Sequence, residues 1–512
     1  MQIAAYNGHK DIIEQLLERG TDVNAQGLRG KHGNAMQAAL FMGNKDIVEL
    51  LLEHGANVNA QGGYYGNALQ AASSVHGYKD IVELLLQKGA DVNAQGGYYG
   101  NALQASSLCG YKDIVELLLE CGVNVNAQGG HYGNAMQAAL FGGNRDIVEL
   151  LLEHGANVNA QGGHYGNALQ AASLHGYKDI VELLLQKGAD VNAQGGEYGN
   201  AMQAALFVGN RDVVELLLEH GANMNAQGGH YENALQAASL HGYRDIIELL
   251  LQKGADVNAQ GGEYGNVMQA ALFVGNRDIV ELLLEHGVNV NAQGGHYGNA
   301  LQAASLHGYK DIVGLLLQKG ADVNAQGGEY GNAMQAALFV DNRDIVELLL
   351  EHGANVNAQG GHYGNALQAA SSAHGYKDIV ELLLQKGADV NAQGGHYGNA
   401  LLAASLHGYK DIVELLLQKG ADVNAQVGHY GNALQAASWG GYKDIVELLL
   451  QKGADVNAQG GHYGNALKAA SSGGNKDIVE LLLQKGHCRP GTCIFFIHKM
   501  QLRIFSYCKH QS

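Results

Sequence analysis

A repeat of 33 residues constrains this chain more than any other feature. The stretch from Asn167 to Gln194, with its linker to Asn200, recurs little altered from one end almost to the other. Lys/Arg-Asp pairs mark fifteen copies, from Asp11 to Asp477. Self-similarity at such a period is the signature of a stacked solenoid, because one unit cannot bury its own apolar face and a neighbour must cover it.

Within one copy, Asn167 suits an N-cap and Ala168 to His175 read as a short helix. Gly176 suits the left-handed residue that ends it. A second helix follows, with Asp179 in its first turn and Lys187 in its last, both favourable to the helix dipole, and Gly188 stops it. Ile180, Val181, Leu184 and Leu185 form an apolar stripe that Leu183 widens, as expected of a helix held between neighbours. Ala168, Leu169, Ala171 and Ala172 are small enough to let another helix approach closely.

These residues resemble the ankyrin repeat family. The resemblance rests on the period, Leu169 with Ala172, Gly176, the Ile180-Val181-x-Leu183-Leu184-Leu185 run, and Gly188-Ala189-Asp190-Val191-Asn192-Ala193. Two departures are systematic. Asn167-Ala168-Leu169-Gln170, or Asn200-Ala201-Met202-Gln203, replaces the family's Thr-Pro-Leu-His, and Gly195-Gly196-Glu197-Tyr198-Gly199 replaces its Asp-Gly turn. This variety is similar to the ankyrin arrays of filamentous fungi. The resemblance implies an all-α ankyrin-repeat solenoid of about fifteen helix-turn-helix units with short β-hairpin finger loops. Stacked at about 10 Å per unit, such an array would reach about 140 Å.

The repeats span residues 1–486, with a truncated first unit, and 487–512 form a non-repeat tail expected to be irregular. Neither end resembles a polar capping repeat, so the chain is expected to be part of something longer. Insertions near Arg29, Ser74 and Ser372 fall in loops. Through the middle, two flavours of unit alternate, one ending helix one in Ser-Leu-His-Gly-Tyr and the other in Leu-Phe-Val-Gly-Asn. Four substitutions probe the backbone: Gly314 inside a helix, Asp341 at a helix stop, and Glu232 and Val427 at finger glycines, where a required positive φ would be strained.

A net charge of −18 favours solubility and disfavours nucleic acid and anionic membranes as partners. Five cysteines give no disulfide framework, which points to an intracellular, cytoplasmic setting without excluding the nucleus. No apolar run approaches the roughly 20 residues of a spanning helix, so no membrane insertion is expected.

The sharpest candidate site is an apolar ladder at the end of helix one. Phe41, Phe141, Phe207, Phe273 and Phe339 share one position, which holds Leu174, Leu240, Leu306 and Leu406 in other units and Trp439 once. By the resemblance, this position faces a concave groove where partners dock. A row of exposed aromatics there would supply binding hot spots, and the same rings could instead pack on the adjacent helix. A second ladder lies at the finger tips, where Tyr132, Tyr165, Tyr198 and their equivalents follow a His, Glu or Tyr. His131, His164, His230 and five further tip histidines invite a metal reading. Helices stack about 8–10 Å apart, however, so rings one unit apart would not share a zinc. Solvated tips are expected, with a weak pH response. The paired finger glycines lack the Lys-Ser/Thr of a phosphate loop, and Cys488 with Cys493 lacks a second pair.

No catalytic grouping, metal site or cofactor is expected. The sequence reads as a monomeric scaffold that binds other proteins along the groove and fingers, with avidity from its many similar patches. The alternatives are a ligand-sensing C-terminal segment of a larger nucleotide-dependent switch protein, and a mechanical spacer.

Overall fold

The structure, a computed structural model, describes residues 1–26, 33–75, 77–228, 233–372 and 376–486. Arg29, His230, Glu232 and the tail from His487 lie outside the described residues, as do His76 and 373–375 within the insertions near Ser74 and Ser372. Among the described residues thirty helices follow in pairs, from Gln2–Tyr6 with Lys10–Glu18 to Ala466–Ser472 with Lys476–Lys485. Contacts divide the chain into two compact units, Met1–Gly262 and Glu263–Ser512, built from the same helix pair.

The pair beginning at Asn167 shows why these residues fold as they do. Asn167 is extended, and its side chain accepts the backbone N–H of Gln170 at 2.9 Å, capping Ala168–Leu174. Gly176 takes the left-handed conformation at φ +72° and turns the chain. The second helix, Lys178–Gln186, starts with Asp179 in its first turn. Lys187, expected within its last turn, lies just beyond the helix end, and Gly188 turns the chain at φ +86°.

Helix one packs on the next helix one, Ala168–Leu174 on Ala201–Phe207, and helix two on the next helix two, Lys178–Gln186 on Arg211–Glu219. Ala300–Leu306 on Ala333–Phe339 and Lys310–Gln318 on Arg343–Glu351 repeat this in the second unit. Leu169, Ala171, Ala172, Ile180, Val181 and Leu184 are buried, and Leu183 and Leu185 half-buried, which is the wide stripe of a sandwiched helix. Each fully buried Leu or Ile contributes about 1.5–3 kcal/mol. On the outer face Arg145 reaches Asp179 of the next unit at 2.9 Å and Arg343 reaches Asp378 at 2.6 Å. These pairs are solvent-exposed and add little stability.

The fingers turn where expected. Gly195 N–H donates to the Gly199 carbonyl at 2.8 Å. Eleven fingers among the described residues close with such an isolated antiparallel bridge, and a twelfth pairs two short strands, Gln260–Gly261 and Gly265–Asn266. What joins a finger to the preceding helix pair is the buried glutamine of helix one. Gln170 Nε2 donates to the carbonyls of Ala193 and Gly199 at 3.3 and 3.0 Å, and Gln302 does the same to Ala325 and Gly331 at 3.4 and 3.1 Å. A finger asparagine adds a second tie: Asn192 donates to the Gly221 carbonyl at 3.2 Å and accepts from the Asn223 N–H at 2.7 Å. This joint requires the glycine that precedes the cap Asn167. Gly166 sits at φ +83°, and a Cβ there would lie 2.8 Å from the backbone nitrogen of Gly196 in the following finger.

The exceptional residues show how the joint tolerates change. Asp341 is the one non-glycine residue at positive φ (+59°) among the described residues, as the stop position demands. The Tyr376 hydroxyl hydrogen-bonds to its carboxylate, and burial with that acidic neighbour pushes the phenol up to about 12. Val427 escapes the strain expected of it. Its backbone does not share the positive φ of the finger glycines, yet its N–H still closes the finger on the Gly431 carbonyl at 2.7 Å. Its side chain packs against Leu402 and Leu406, and Leu402 is the residue that replaces the joint glutamine in that unit. A polar joint is there exchanged for an apolar one. Gly314 leaves its helix, Lys310–Gln318, unbroken and opens a surface notch of about 310 Å³.

Candidate interaction surface

The apolar ladder is a ridge of exposed rings held by finger tyrosines. Phe141, Phe207, Phe273 and Phe339 are 40–44% exposed, and Trp439 is 37% exposed. Each phenyl ring rests on the tyrosine of its own finger: Tyr132–Phe141 at 5.0 Å, Tyr198–Phe207 at 5.2 Å, Tyr264–Phe273 at 5.3 Å and Tyr330–Phe339 at 5.2 Å between ring centroids. The next repeat supplies a second wall, Tyr165 and His175 beside Phe141, His307 beside Phe273, and Tyr363 beside Phe339. These rings therefore pack on fingers and on the histidine closing the next helix one, and they keep an open face. Tilted and edge-to-face pairs of this kind fix ring orientation without covering it.

Other expected members differ. Phe41 is half-buried between Tyr6 and Tyr65. Leu174, Leu240 and Leu306 are half-buried, and Leu406 is only 8% exposed because Leu402 and Val427 close over it. Tyr132 and Tyr165, expected at solvated finger tips, are 6% and 7% exposed, and Tyr198 is half-buried. Their rings are walls beneath the ridge. Burial raises the Tyr132 and Tyr165 hydroxyls above the ordinary tyrosine range, and pushes the equivalent Tyr65 up to about 12. Val208, Val274 and Val340, each next to a ridge phenylalanine, are 40–45% exposed. Sequence reasoning passed over them, although the Leu-Phe-Val-Gly end of one flavour of unit was the available signal.

The residue before each finger tyrosine is the true tip. Its rings lie closer than helix spacing suggests: Tyr64 and Tyr98 stack at 5.0 Å, His362 and His396 at 5.3 Å, and His429 and His462 at 4.8 Å. The expectation that tips one unit apart stay 8–10 Å apart is thus corrected, since fingers lean on one another through bonds such as His396 N–H to the His362 carbonyl at 3.1 Å. The described tip histidines are exposed, and His362 with His396 and His429 with His462 lie face to face. Among the described residues no group of three or more His, Cys, Asp or Glu gathers as a metal ion would need. A separate set, His175, His307 and His407, is half-buried among rings, stacked on Tyr177, Tyr309 and Tyr409, and burial lowers the pKa of each imidazole.

Eight overlapping stretches match the family model of ankyrin repeats in three copies: residues 1–96, 57–129, 102–195, 195–261, 260–327, 301–394, 333–427 and 401–492. The chain belongs to the ankyrin-repeat family. The helix pairs, the finger bridges and the stop glycines are that family's fold, here carrying a glutamine joint. Ankyrin repeats generally serve as protein–protein interaction modules without catalysis of their own. No curated protein matches this ankyrin chain. None of its described helices is long and apolar enough to cross a membrane.

Proposed function

We propose that this ankyrin array is a non-catalytic scaffold that binds partner proteins on the ridge of Phe and Val side chains beside its fingers. The observation carrying this reading is the exposure of Phe141, Phe207, Phe273 and Phe339 at 40–44% while tyrosine rings hold each in one orientation. An immobilised, half-exposed ring loses little entropy on docking, and such rings dominate binding energy at interfaces. Because Phe-Val ends recur every second repeat, a partner with a repeating or extended segment gains avidity across them. The test compares the intact chain with Phe207→Ala combined with Phe273→Ala, reading both partner capture and thermal unfolding. Capture should fall by at least about tenfold per ring removed. Loss of folding equal to the loss of capture would assign the rings to packing alone.

A further inference from the structure

The charge around the ridge selects a class of partner. Among the described residues every Lys and Arg stands at the start or the C-terminal end of a second helix, with Lys468 in the last repeat as the exception. Helix one otherwise carries no charged side chain, and the formal charges of the described fingers are carboxylates. Three of these, Glu197, Glu263 and Glu329, occupy finger tips, and all three are exposed. Each belongs to a repeat whose helix one ends in the exposed Phe-Val pair: Glu197 with Phe207 and Val208, Glu263 with Phe273 and Val274, Glu329 with Phe339 and Val340. The intervening ring connects the two features. Tyr198, Tyr264 and Tyr330 lie against the phenylalanines at 5.2–5.3 Å, and the adjacent glutamate charge raises the pKa of each tyrosine hydroxyl, after burial. The cationisable groups facing two of these carboxylates are tip histidines, His164 at 3.2 Å from Glu197 and His296 at 3.8 Å from Glu329.

We infer that the ridge takes a basic, amphipathic polypeptide segment, one whose apolar side chains seat on the Phe-Val pairs while its lysines or arginines reach the tip glutamates. This rests on the docking role proposed above and adds the partner's chemistry. An acidic segment would place like charges against the tips, which opposes binding and slows encounter. Within the second unit, Phe273 and Phe339 are two repeats apart, about 20 Å at ordinary helix spacing. An extended segment would bridge them with apolar anchors about six residues apart.

The experiment titrates the intact chain with three fluorescent peptides of equal length, each about 14 residues to span two pairs. The first alternates Leu anchors with Lys, the second replaces Lys by Glu, and the third replaces Leu by Ser. The Leu/Lys peptide should bind at least about tenfold more tightly than either of the others, with affinity falling as salt is raised. Combining Glu197→Gln, Glu263→Gln and Glu329→Gln should weaken it by about tenfold and flatten the salt dependence. Equal or tighter binding of the Leu/Glu peptide, or an unchanged affinity in the glutamine variant, overturns the inference. If the phenylalanine variants weaken all Leu-bearing peptides alike while the glutamine variant changes nothing, the docking ridge stands and the basic class falls. If neither set changes any affinity, both fall.

Discussion

In the helix Ala333–Phe339, Gln335 is fully buried and its Nε2 donates to the Gly360 carbonyl of the following finger at 3.1 Å. Four residues further on, Phe339 is 42% exposed. The first position belongs to the joint between repeats and the second to the ridge. The joint position is Gln in nearly every repeat, whereas the ridge position holds Phe, Leu, Ser, Tyr or Trp. The difference follows from what each change would strand. Losing the glutamine leaves buried carbonyls without a donor, while changing a half-exposed ring alters only what the surface offers. The joint therefore sets stability, and recognition is the role proposed for the ridge.

The largest effect is expected where that division is forced. Gln335→Leu alone should cost about 1–3 kcal/mol in chemical denaturation, because the Gly360 carbonyl loses its donor. Adding Gly360→Val should recover part of this, since Leu402 and Val427 pack together at the equivalent joint. A double-mutant cycle with no coupling would contradict the joint account. Next in size, Asp341→Gly should stabilise by about 1 kcal/mol, the usual penalty for a side chain in the left-handed region, offset in part by the lost Tyr376 bond. Gly314→Glu should add about 1 kcal/mol of helix propensity, as the nearest atom to a new Cβ would be Leu348 Cδ2 at 3.9 Å.

Much of the joint was hidden in the sequence, and the reason is geometric. The caps, glycine stops and apolar stripes are local, so Asn167, Gly176 and the Ile180 to Leu185 run disclosed them directly. By its place in the sequence Gln170 is a residue of helix one, and nothing local names its partners. Its partners, the carbonyls of Ala193 and Gly199, lie more than twenty residues on and meet it only after the finger folds back. The same holds for Tyr132 and Tyr165, which read as tip residues until the fingers leaned together and buried them. The ridge phenylalanines were legible because their alternation stands out against an otherwise uniform repeat. Their valine neighbours were passed over, although the same position alternates between Val and His along the middle repeats.

A smaller effect sharpens the comparison from the ridge side. Burial holds the imidazoles of His175, His307 and His407 below the ordinary histidine value of about 6.5. Their folded pKa is depressed, so the stability they permit is full above about pH 6.5 and is lost as pH falls through the folded values, where protonation favours the unfolded chain. Unfolding midpoints measured from pH 7.5 down to 5 should decline in that window, and His307→Gln should reduce the slope.

At the ridge a modest stability change and the largest binding change should coincide. The most direct measurement is the affinity of the intact chain and of its Phe273→Ala, Phe339→Ala variant for the Leu/Lys peptide, taken alongside their denaturation curves. The account predicts affinity lower by at least about a hundredfold with a stability loss of only about 1 kcal/mol per ring. Unchanged affinity in a variant that unfolds markedly earlier would contradict it.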